Sequence, residues 1–416
     1  MRQLVYLALL FFPGLASATG LVNRYQYLNA GLLPEGVWTF GVNHGQSSGK
    51  KDASFSKSGE RVSNETYFSR DVSYSNLQDE INDPLEKELA AAAFSAYERQ
   101  DGEIAGRATN NVEVEQSSNT YVLGRGLSKK SSLLMIFPVV TIKTRFSSRF
   151  NNSSSLNSFA SQLRAEGQNQ RADEILEKSQ NALSNRLNEN GYRSNYPTEM
   201  TTLANIYLDF RHEVKQGRKF DLTSDSFVVV PAGKKSDEDD FIYMRINEEQ
   251  YSFKQALTAS YQPNYSFNFL ASTFFHKRFA FEKKRRIPVN NVSPLSKDID
   301  SETRIQYGDT VGGSLQLNFS MNDTFTFYAG RSYEAKARDK IEGNTFSSER
   351  YDFIEKNTTQ NIQLNYLGVA VNTIQAFLAK KFLIPVDVNL QYSYPTGGAN
   401  TFDNKIIAMN MMVFYK

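Results

Sequence analysis

Strict alternation of apolar and polar residues recurs along this chain. In Arg304–Ser320, most odd positions are apolar, and every even position is polar apart from two glycines. Successive side chains of a β-strand point to opposite faces, so a period of two predicts a strand with one apolar and one polar face. An ordinary soluble strand has about 5–6 residues, so this segment indicates an unusually long strand.

The same alternation predicts about twelve strands with connections of two kinds. The predicted strands are 35–46, 111–126, 131–149, 200–213, 219–231, 250–262, 266–283, 304–320, 323–339, 358–374, 384–396 and 404–416. Short turns alternate with long polar segments, of which the longest are 47–110 and 150–199. Short turns on one side and long loops on the other are typical of bacterial outer-membrane barrels.

A closed sheet also meets the main physical demand of a bilayer, where every backbone N–H and C=O needs a partner within the protein. We therefore predict an all-β fold, a transmembrane antiparallel up-and-down β-barrel of about twelve to fourteen strands. Its apolar side chains would face lipid and its polar side chains would face the lumen.

Two of the long loops carry helical patterns. Pro84–Arg99 begins with proline, which suits the first turn of a helix, and continues with strong helix formers. Leu156–Leu187 places apolar residues at helical intervals around a break at Gly167. We expect helical insertions in extracellular loops. Such a helix either covers a neighbouring loop or the barrel mouth, or it forms a lid that gates the lumen.

The N-terminus has the three parts of a secretory signal peptide. Arg2 supplies a positive charge, Leu4–Phe12 is apolar, and Ala16–Ala18 forms a small-residue cleavage site. We expect 1–18 to be removed, and 19–416 to form a single barrel domain in the outer membrane of a Gram-negative bacterium.

Composition narrows the chemistry further. The chain has 30 Phe and 22 Tyr but a single Trp, a formal net charge of +2, and no cysteine. It therefore forms no disulfide and uses no thiolate chemistry, and its balanced charge gives no reason to expect nucleic acid as a partner. The sequence predicts no catalytic, metal-binding or cofactor-binding residues, and it leaves the oligomeric state open.

The polar phase of the predicted strands gives a set of candidate lumen-lining residues. They are Lys254, His276, Arg278, Arg304, Gln306, Gln316, Asn318, Asn361, Gln363, Asn365, Asp387, Asn389 and Gln391. A twelve-stranded barrel lies between the filled eight-stranded barrels and the open porins of 16–18 strands. Mixed amides with few charges favour small neutral or amphipathic solutes over ions. These residues could also merely fill the interior of a structural barrel.

Two charged runs lie in the predicted extracellular loops. The four cations Lys283, Lys284, Arg285 and Arg286 are placed to meet the phosphates of lipopolysaccharide, although an ordinary charged rim explains them equally well. The acidic run Asp237–Asp240 could bind a divalent cation, but it lacks EF-hand spacing, which favours a solvated loop.

Several short runs resemble a known family. Leu28–Trp38 precedes the first strand, Ile136–Val140 lies in the third, and Lys381–Pro385 and Tyr392–Pro395 lie near the end. Together they resemble the outer-membrane barrels of the meta-pathway phenol-degradation transporter group, which are akin to long-chain fatty-acid channels. The resemblance implies passive uptake of small hydrophobic or aromatic compounds and supplies no catalytic residues. The chain departs from the barrel pattern by ending in lysine after Phe414 and Tyr415.

Three functional hypotheses follow. The first is a passive outer-membrane channel for small weakly polar or hydrophobic molecules, with the 150–199 loop as its gate. The second is a structural or surface-interaction barrel whose large loops bind a partner. The third is a lipid-acting enzyme, for which His212 lies in the lipid-facing phase without a recognisable serine motif.

Overall fold

The computed structural model describes residues 32–47, 53–63, 69–79, 84–100, 102–193, 198–235, 237–240, 249–289 and 296–415. The predicted signal peptide lies outside the described residues. Among the described helices, none is long and apolar enough to cross a membrane.

The strands, in chain order, are β1 (Trp38–Ser47), β2 (Ala53–Phe55), β3 (Arg61–Ser63), β4 (Arg70–Ser73), β5 (Ile104–Ser128), β6 (Ser131–Asn152), β7 (Thr198–Leu203), β8 (Ile206–Gln216), β9 (Phe220–Val230), β10 (Ser252–Tyr261), β11 (Phe267–Arg278), β12 (Phe281–Arg286), β13 (Ile299–Gln306), β14 (Thr310–Ser320), β15 (Phe325–Lys336), β16 (Lys340–Glu342), β17 (Gln360–Asn372), β18 (Val386–Ala399), β19 (Thr401–Phe402) and β20 (Ile406–Tyr415). The helices are α1 (Tyr74–Asp79), α2 (Pro84–Ala96), α3 (Ser154–Ala165), α4 (Asn169–Glu189), α5 (Ser348–Glu355) and α6 (Ile374–Leu378).

Twelve antiparallel strands close into a barrel, which confirms the predicted fold class. Each barrel strand pairs with the next in the chain, in the order β1, β5, β6, β8, β9, β10, β11, β14, β15, β17, β18 and β20. The ring closes where β1 pairs with β20, from Trp38 opposite Tyr415 to Ser47 opposite Ile406. Every strand therefore has two hydrogen-bonded neighbours, and no sheet edge faces lipid.

The β5–β6 hairpin is much longer than the barrel wall around it. Its pairing runs from Gly106 opposite Asn152 to Ser128 opposite Ser131. On its other side, β5 pairs with β1 only between Ser117 and Arg125. The upper part of the hairpin therefore projects beyond the barrel at the end with the long loops, which the loop asymmetry assigns to the extracellular side. The second strand begins at Ile104, earlier than the predicted start at 111.

Helices α2, α3 and α4 pack on this projecting hairpin, and their presence confirms the predicted helical insertions. Gly167 adopts a positive φ of 79° between α3 and α4, a conformation that glycine permits at little cost. The helices share an apolar core with the hairpin and α1. Its buried members are Val72, Tyr74, Phe94, Ala105, Ala108, Phe150, Leu156, Phe159, Ala160, Leu163, Ala172, Leu187 and Tyr192. The apolar stripe seen in the sequence is therefore covered by neighbouring elements.

The fourth barrel strand is interrupted opposite a proline in β6. Pro138 has no N–H to donate to the ladder, and its carbonyl accepts a hydrogen bond of 2.7 Å from the N–H of Ala204. The strand breaks there into β7 and β8, which pair with different parts of β6.

Besides a small sheet of β19, β2 and β3, a second one of β12, β13 and β16 lies outside the barrel ladder. Its core contains Ile287, Ile305, Tyr307, Ile341 and Tyr351. The predicted continuous strand 304–320 is therefore wrong, because β13 ends before the Tyr307–Asp309 turn and only β14 belongs to the barrel. The prediction joined two strands whose alternations happen to be in phase. The predicted strand 266–283 divides in the same way, into β11 and β12.

Candidate functional site

The barrel has two chemically distinct faces, as β10 illustrates. Phe253, Leu257 and Tyr261 are exposed on its outer face, while Lys254 and Thr258 between them are almost completely buried. Burial of the polar phase in a closed ring means that these side chains point inward and contact one another. The interior is therefore polar and narrow, as expected for a barrel of this size.

One side of the interior carries compensated charges. Arg211 of β8 lies with its Nε 2.9 Å from Oδ2 of Asp209 and 3.4 Å from Oδ1 of Asp225 in β9. The ammonium group of Lys254 lies 4.1 Å from the ring centre of Phe274. Buried charges are tolerated only with partners of opposite sign, and this cluster provides them.

Further charges act on Lys254 from around the ring. They are the carboxylates of Glu334, Asp209 and Asp225 and the guanidinium of Arg278. The interior thus holds more charge than the sequence analysis anticipated, and that charge is balanced internally.

The opposite side of the interior combines tyrosine rings with amides. Tyr328 of β15 and Tyr366 of β17 have ring centres 6.5 Å apart. The hydroxyl of Tyr328 donates a hydrogen bond of 2.7 Å to Oδ1 of Asn389 and lies 3.4 Å from Oε1 of Gln391. The ring of Tyr328 lies directly over the backbone of Gly368. Only glycine leaves room for it, since a Cβ at this position would lie 2.3 Å from the Tyr328 hydroxyl oxygen. This part of the wall is both aromatic and hydrogen-bonding.

At the extracellular end of the interior, inward side chains of β10 and β11 form a further set of hydrogen bonds. His276 Nε2 lies 2.8 Å from the hydroxyl of Ser252. Arg278 donates from Nη1 to the carbonyl of Gly308 at 2.7 Å and to the hydroxyl of Thr310 at 2.6 Å. Gly308 is required here, because a Cβ would lie 1.9 Å from the carbonyl oxygen of Ala337.

Eight of the predicted lumen residues lie on the inner face of barrel strands. They are Lys254, His276, Arg278, Gln316, Asn318, Asp387, Asn389 and Gln391. Asp387 lies near the periplasmic end, where its Oδ2 accepts a hydrogen bond of 3.1 Å from Asn372.

Five predicted lumen residues lie elsewhere. Arg304 and Gln306 belong to β13 of the separate small sheet. Asn361, Gln363 and Asn365 lie on the outer face of β17. The register of β17 with β15 places Asn365 opposite Arg331 and Gln363 opposite Tyr333, which are both exposed.

The misplacement in β17 has a clear physical cause. In its extracellular half the apolar phase faces inward, where Tyr366 is 95 % buried beside Tyr328, whereas in its periplasmic half Leu367, Val369 and Val371 face outward. Sequence reasoning had assumed that apolar residues always face lipid.

Several inner residues were missed by sequence analysis. Asp209 and Arg211 alternate with apolar neighbours and could have been found from that pattern. Asp225 follows the same alternation in β9. Tyr328 and Tyr366 could not have been assigned, because tyrosine occurs on both faces of a barrel wall.

The basic run of β12 lies against acidic residues of the protein itself. Lys283 Nζ lies 2.8 Å from Oε2 of Glu249 and Lys284 Nζ lies 2.5 Å from Oε1 of Glu238. Arg286 pairs with Asp239 at 2.5 Å. The contact of Lys283, Lys284, Arg285 and Arg286 with lipopolysaccharide therefore stays a prediction, and Lys283, Lys284 and Arg286 already have carboxylate partners within the chain.

The acidic run carries one arrangement that could hold a cation. Asp237, Glu238 and Asp239 place one carboxylate oxygen each within 4.8 Å of one another. A backbone hydrogen bond from Asp239 lowers the pKa of Asp237, and so does the guanidinium of Arg193. These carboxylates already form ion pairs with arginine and lysine side chains, which favours a loop held by ion pairs over a cation-binding site.

Arg286 connects three extracellular segments. Its guanidinium donates to the carbonyls of Asn190 at 2.8 Å and Gly191 at 3.1 Å, just beyond the end of α4. It also donates to the carbonyls of Glu238 at 3.1 Å and Ser296 at 2.9 Å. Its position at the end of α4 suits the negative end of the helix dipole. The end of the 150–199 loop is thereby attached to the loops after β9 and β12.

A serine and a histidine meet on the outer face at the periplasmic end. Ser131 Oγ lies 2.9 Å from Nδ1 of His212, whose ring stacks on Phe210 with centres 6.3 Å apart. A catalytic histidine also needs a group that orients its second nitrogen. Among the described residues, no carboxylate makes that contact.

Comparison with known proteins gives the fold. No family model matches the chain, and no curated protein matches its sequence. Among solved structures, the COG4313 outer membrane channel from Pseudomonas putida F1 is similar with a TM-score of 0.50 at 10 % identity, over 92 % of this chain and 97 % of that one.

Two further structures are similar more distantly. A Pseudomonas aeruginosa FadL homologue has a TM-score of 0.30 at 9 % identity, over 91 % of this chain and 89 % of that one. The translocator domain of the autotransporter NalP from Neisseria meningitidis has a TM-score of 0.36 at 9 % identity, over 96 % of both chains. The COG4313 channel confirms the resemblance to outer-membrane channels at the level of the fold: the chain is a closed β-barrel of the outer-membrane type.

Proposed function

We propose that this protein is a passive outer-membrane channel for small, weakly polar or hydrophobic compounds, aromatic ones among them. The observation that carries the proposal is the inner wall where Tyr328 and Tyr366 lie beside Asn389 and Gln391. Aromatic rings offer apolar contact at little cost in conformational entropy, and adjacent amides can hydrogen-bond a hydroxyl or carbonyl group.

Size and charge support the same solute class. Inner side chains such as Lys254, Gln316 and Asn389 expose at most 5 % of their surface, so they fill much of the bore. Large hydrated solutes do not fit such an interior. Its charges are paired with one another, which removes the single-sign ring that an ion-selective pore uses.

A matched pair of tryptophan substitutions in β18 tests the lumen as the path. Asn389→Trp adds bulk to the inner face, while Leu390→Trp adds an indole to the next residue on the lipid face. We expect Asn389→Trp to lower phenol uptake into proteoliposomes at least about tenfold, and Leu390→Trp to leave it within about twofold, because aromatic residues are common on lipid-facing walls.

Heat-modifiable migration on gels, which reports an intact barrel, controls for misfolding of both variants. Equal uptake by the two folded variants would contradict a path along the inner face of β18.

The 150–199 loop is proposed as the gate, held in place by Arg286. Substitution Arg286→Ala removes the donors to Asn190, Gly191 and Glu238, so we expect limited proteolysis near the end of α4 and a several-fold faster phenol uptake. Lys284→Ala is the control, since it removes only the ion pair with Glu238, made by a lysine side chain that is half exposed to solvent.

The second hypothesis, a surface barrel whose loops bind a partner, predicts a different result. In that case Arg286→Ala would loosen the loop to protease without changing uptake. The gate would then be rejected, and loss of binding to whole cells by the same variant would favour the surface role.

The Ser131–His212 pair allows a direct test of the lipid-acting enzyme. We propose no catalytic role for it, because no described carboxylate orients the histidine. We expect His212→Ala to leave phospholipid hydrolysis by the reconstituted protein unchanged and at background. A hydrolytic rate in the unsubstituted protein that falls at least about a hundredfold in His212→Ala would instead establish an enzyme.

A further inference from the structure

The outer wall of the barrel contains a depression that the proposed channel does not use. It has a volume of about 610 Å³ and is open to the lipid side. Its floor is made of small residues in adjacent strands, because Ala259 pairs with Ala271 and Thr273 pairs with Gly313. Larger outward side chains surround this floor, among them Leu222, Leu257, Leu315 and Tyr333.

The register of the strands makes this a continuous feature. One row of paired positions runs through Leu222, Ala259, Ala271, Leu315 and Arg331, from β9 to β15. The side chains in the middle of this row are small and those at its ends are large, which gives the wall its concave shape. Almost all of the accessible surface of the depression is apolar, and its charged lining residue lies at the β15 end.

That end carries an arginine. Arg331 is exposed on the outer face and donates from Nη2 to Oε1 of Gln363, with Asn365 directly opposite in the ladder. No described carboxylate pairs with Arg331. By contrast, Gln255 on the same wall has hydrogen-bond partners within the protein: it bonds to the hydroxyls of Ser224 and Ser226 at 2.7 Å each.

The height of Arg331 in the wall makes its charge costly. It lies near the middle of β15, which begins at Phe325 and ends at Lys336. At the bilayer midplane an outward arginine destabilises a barrel, because its charge is removed from water into hydrocarbon. A neutral amide compensates only part of this cost, whereas an anion bound to the guanidinium compensates more.

From this juxtaposition we infer a binding site for a membrane-dissolved carboxylate with an apolar tail. The carboxylate binds the guanidinium of Arg331 and the amide of Gln363, and the tail lies over Ala271, Thr273 and Gly313. The volume is within the range of about 300–1,000 Å³ that small-molecule sites occupy. This site is on the lipid side of the wall, so the inference goes beyond the channel and does not depend on transport through the lumen.

The charge and depth of Arg331 favour a carboxylate over two other occupants, a second copy of the chain and a lipid phosphate. A second copy of the chain related by a two-fold axis close to Arg331 would bring two guanidinium groups together, and like charges repel in low dielectric. A lipid phosphate belongs at the membrane surface, away from the middle of β15. A carboxylate carried on a short tail can dissolve to this depth with its charge neutralised by arginine.

Photolabelling of the protein in phosphatidylcholine vesicles tests the site. The probes are decanoic acid with a diazirine on its tail and the matching decanol, both at pH 8.5, where the acid is ionised. We expect the acid to label β10, β11 and β14 at the depression about tenfold more than the alcohol, as a charge-assisted hydrogen bond implies.

Three variants make the result specific. Arg331→Gln should bring labelling by the acid down to the level of the alcohol, and Ala271→Trp should fill the depression and abolish labelling by both. Arg125→Gln is the matched control, because Arg125 is also an outward arginine but lies in β5 on another part of the wall. Heat-modifiable migration shows that each variant has folded.

Several outcomes would overturn the inference. They are equal labelling by acid and alcohol, labelling by the acid that survives Arg331→Gln, labelled positions confined to the lumen, and cross-links between two copies across this wall. Failure of phenol uptake would reject the channel but would leave this labelling pattern unchanged, so the two proposals fail separately.

Discussion

The hydrogen bonding of the backbone in hydrocarbon is the constraint on which this structure depends. A strand that crosses a bilayer must satisfy every N–H and C=O within the protein, and closure of β1 onto β20 achieves this for all twelve strands. Closure then determines which of two environments each side chain of the wall faces. Each residue faces either lipid or a narrow interior, and no intermediate environment exists at the middle of a strand.

Polar and charged side chains find their partners in different ways on the two faces of the wall. Inside, side chains contact one another across the ring, so Arg211 can lie between Asp209 and Asp225, and tyrosine hydroxyls can reach amides. Outside, a polar group has only its neighbours on the same face or a ligand from the membrane. Gln255 uses the first solution through two serines, and Arg331 is the place where the second is proposed.

Sequence periodicity was sufficient for the fold because the constraint itself is periodic. The strand number, the alternation of turns and loops, and the helical insertions all followed from it. It was insufficient wherever a strand left the bilayer or a face reversed its chemistry. Arg304 and Gln306 continue the alternation of β14 but pair within a separate sheet around Ile305, so their phase carried no information about the lumen.

The face of β17 could not be deduced from hydrophobicity alone. In its extracellular half the inner phase is apolar, because Tyr366 packs inside the ring, and the outer phase is polar around Arg331; in its periplasmic half the outer phase is apolar. Only the register with β15 reveals this. Long-range pairings were equally hidden for the extracellular cations, since the contacts of Arg286 with Asn190 and Glu238 come from distant loops.

The chain contains no cysteine, which permits a direct measurement of the central claim. Cysteines introduced one at a time at positions 387–392 of β18 can be spin-labelled in proteoliposomes and tested for collisions with oxygen and with a water-soluble nickel chelate. A closed barrel in lipid predicts high oxygen accessibility at 388, 390 and 392 and low oxygen accessibility at 387, 389 and 391. A uniform profile along the strand, or high nickel accessibility at all six positions, would contradict a closed ring in lipid.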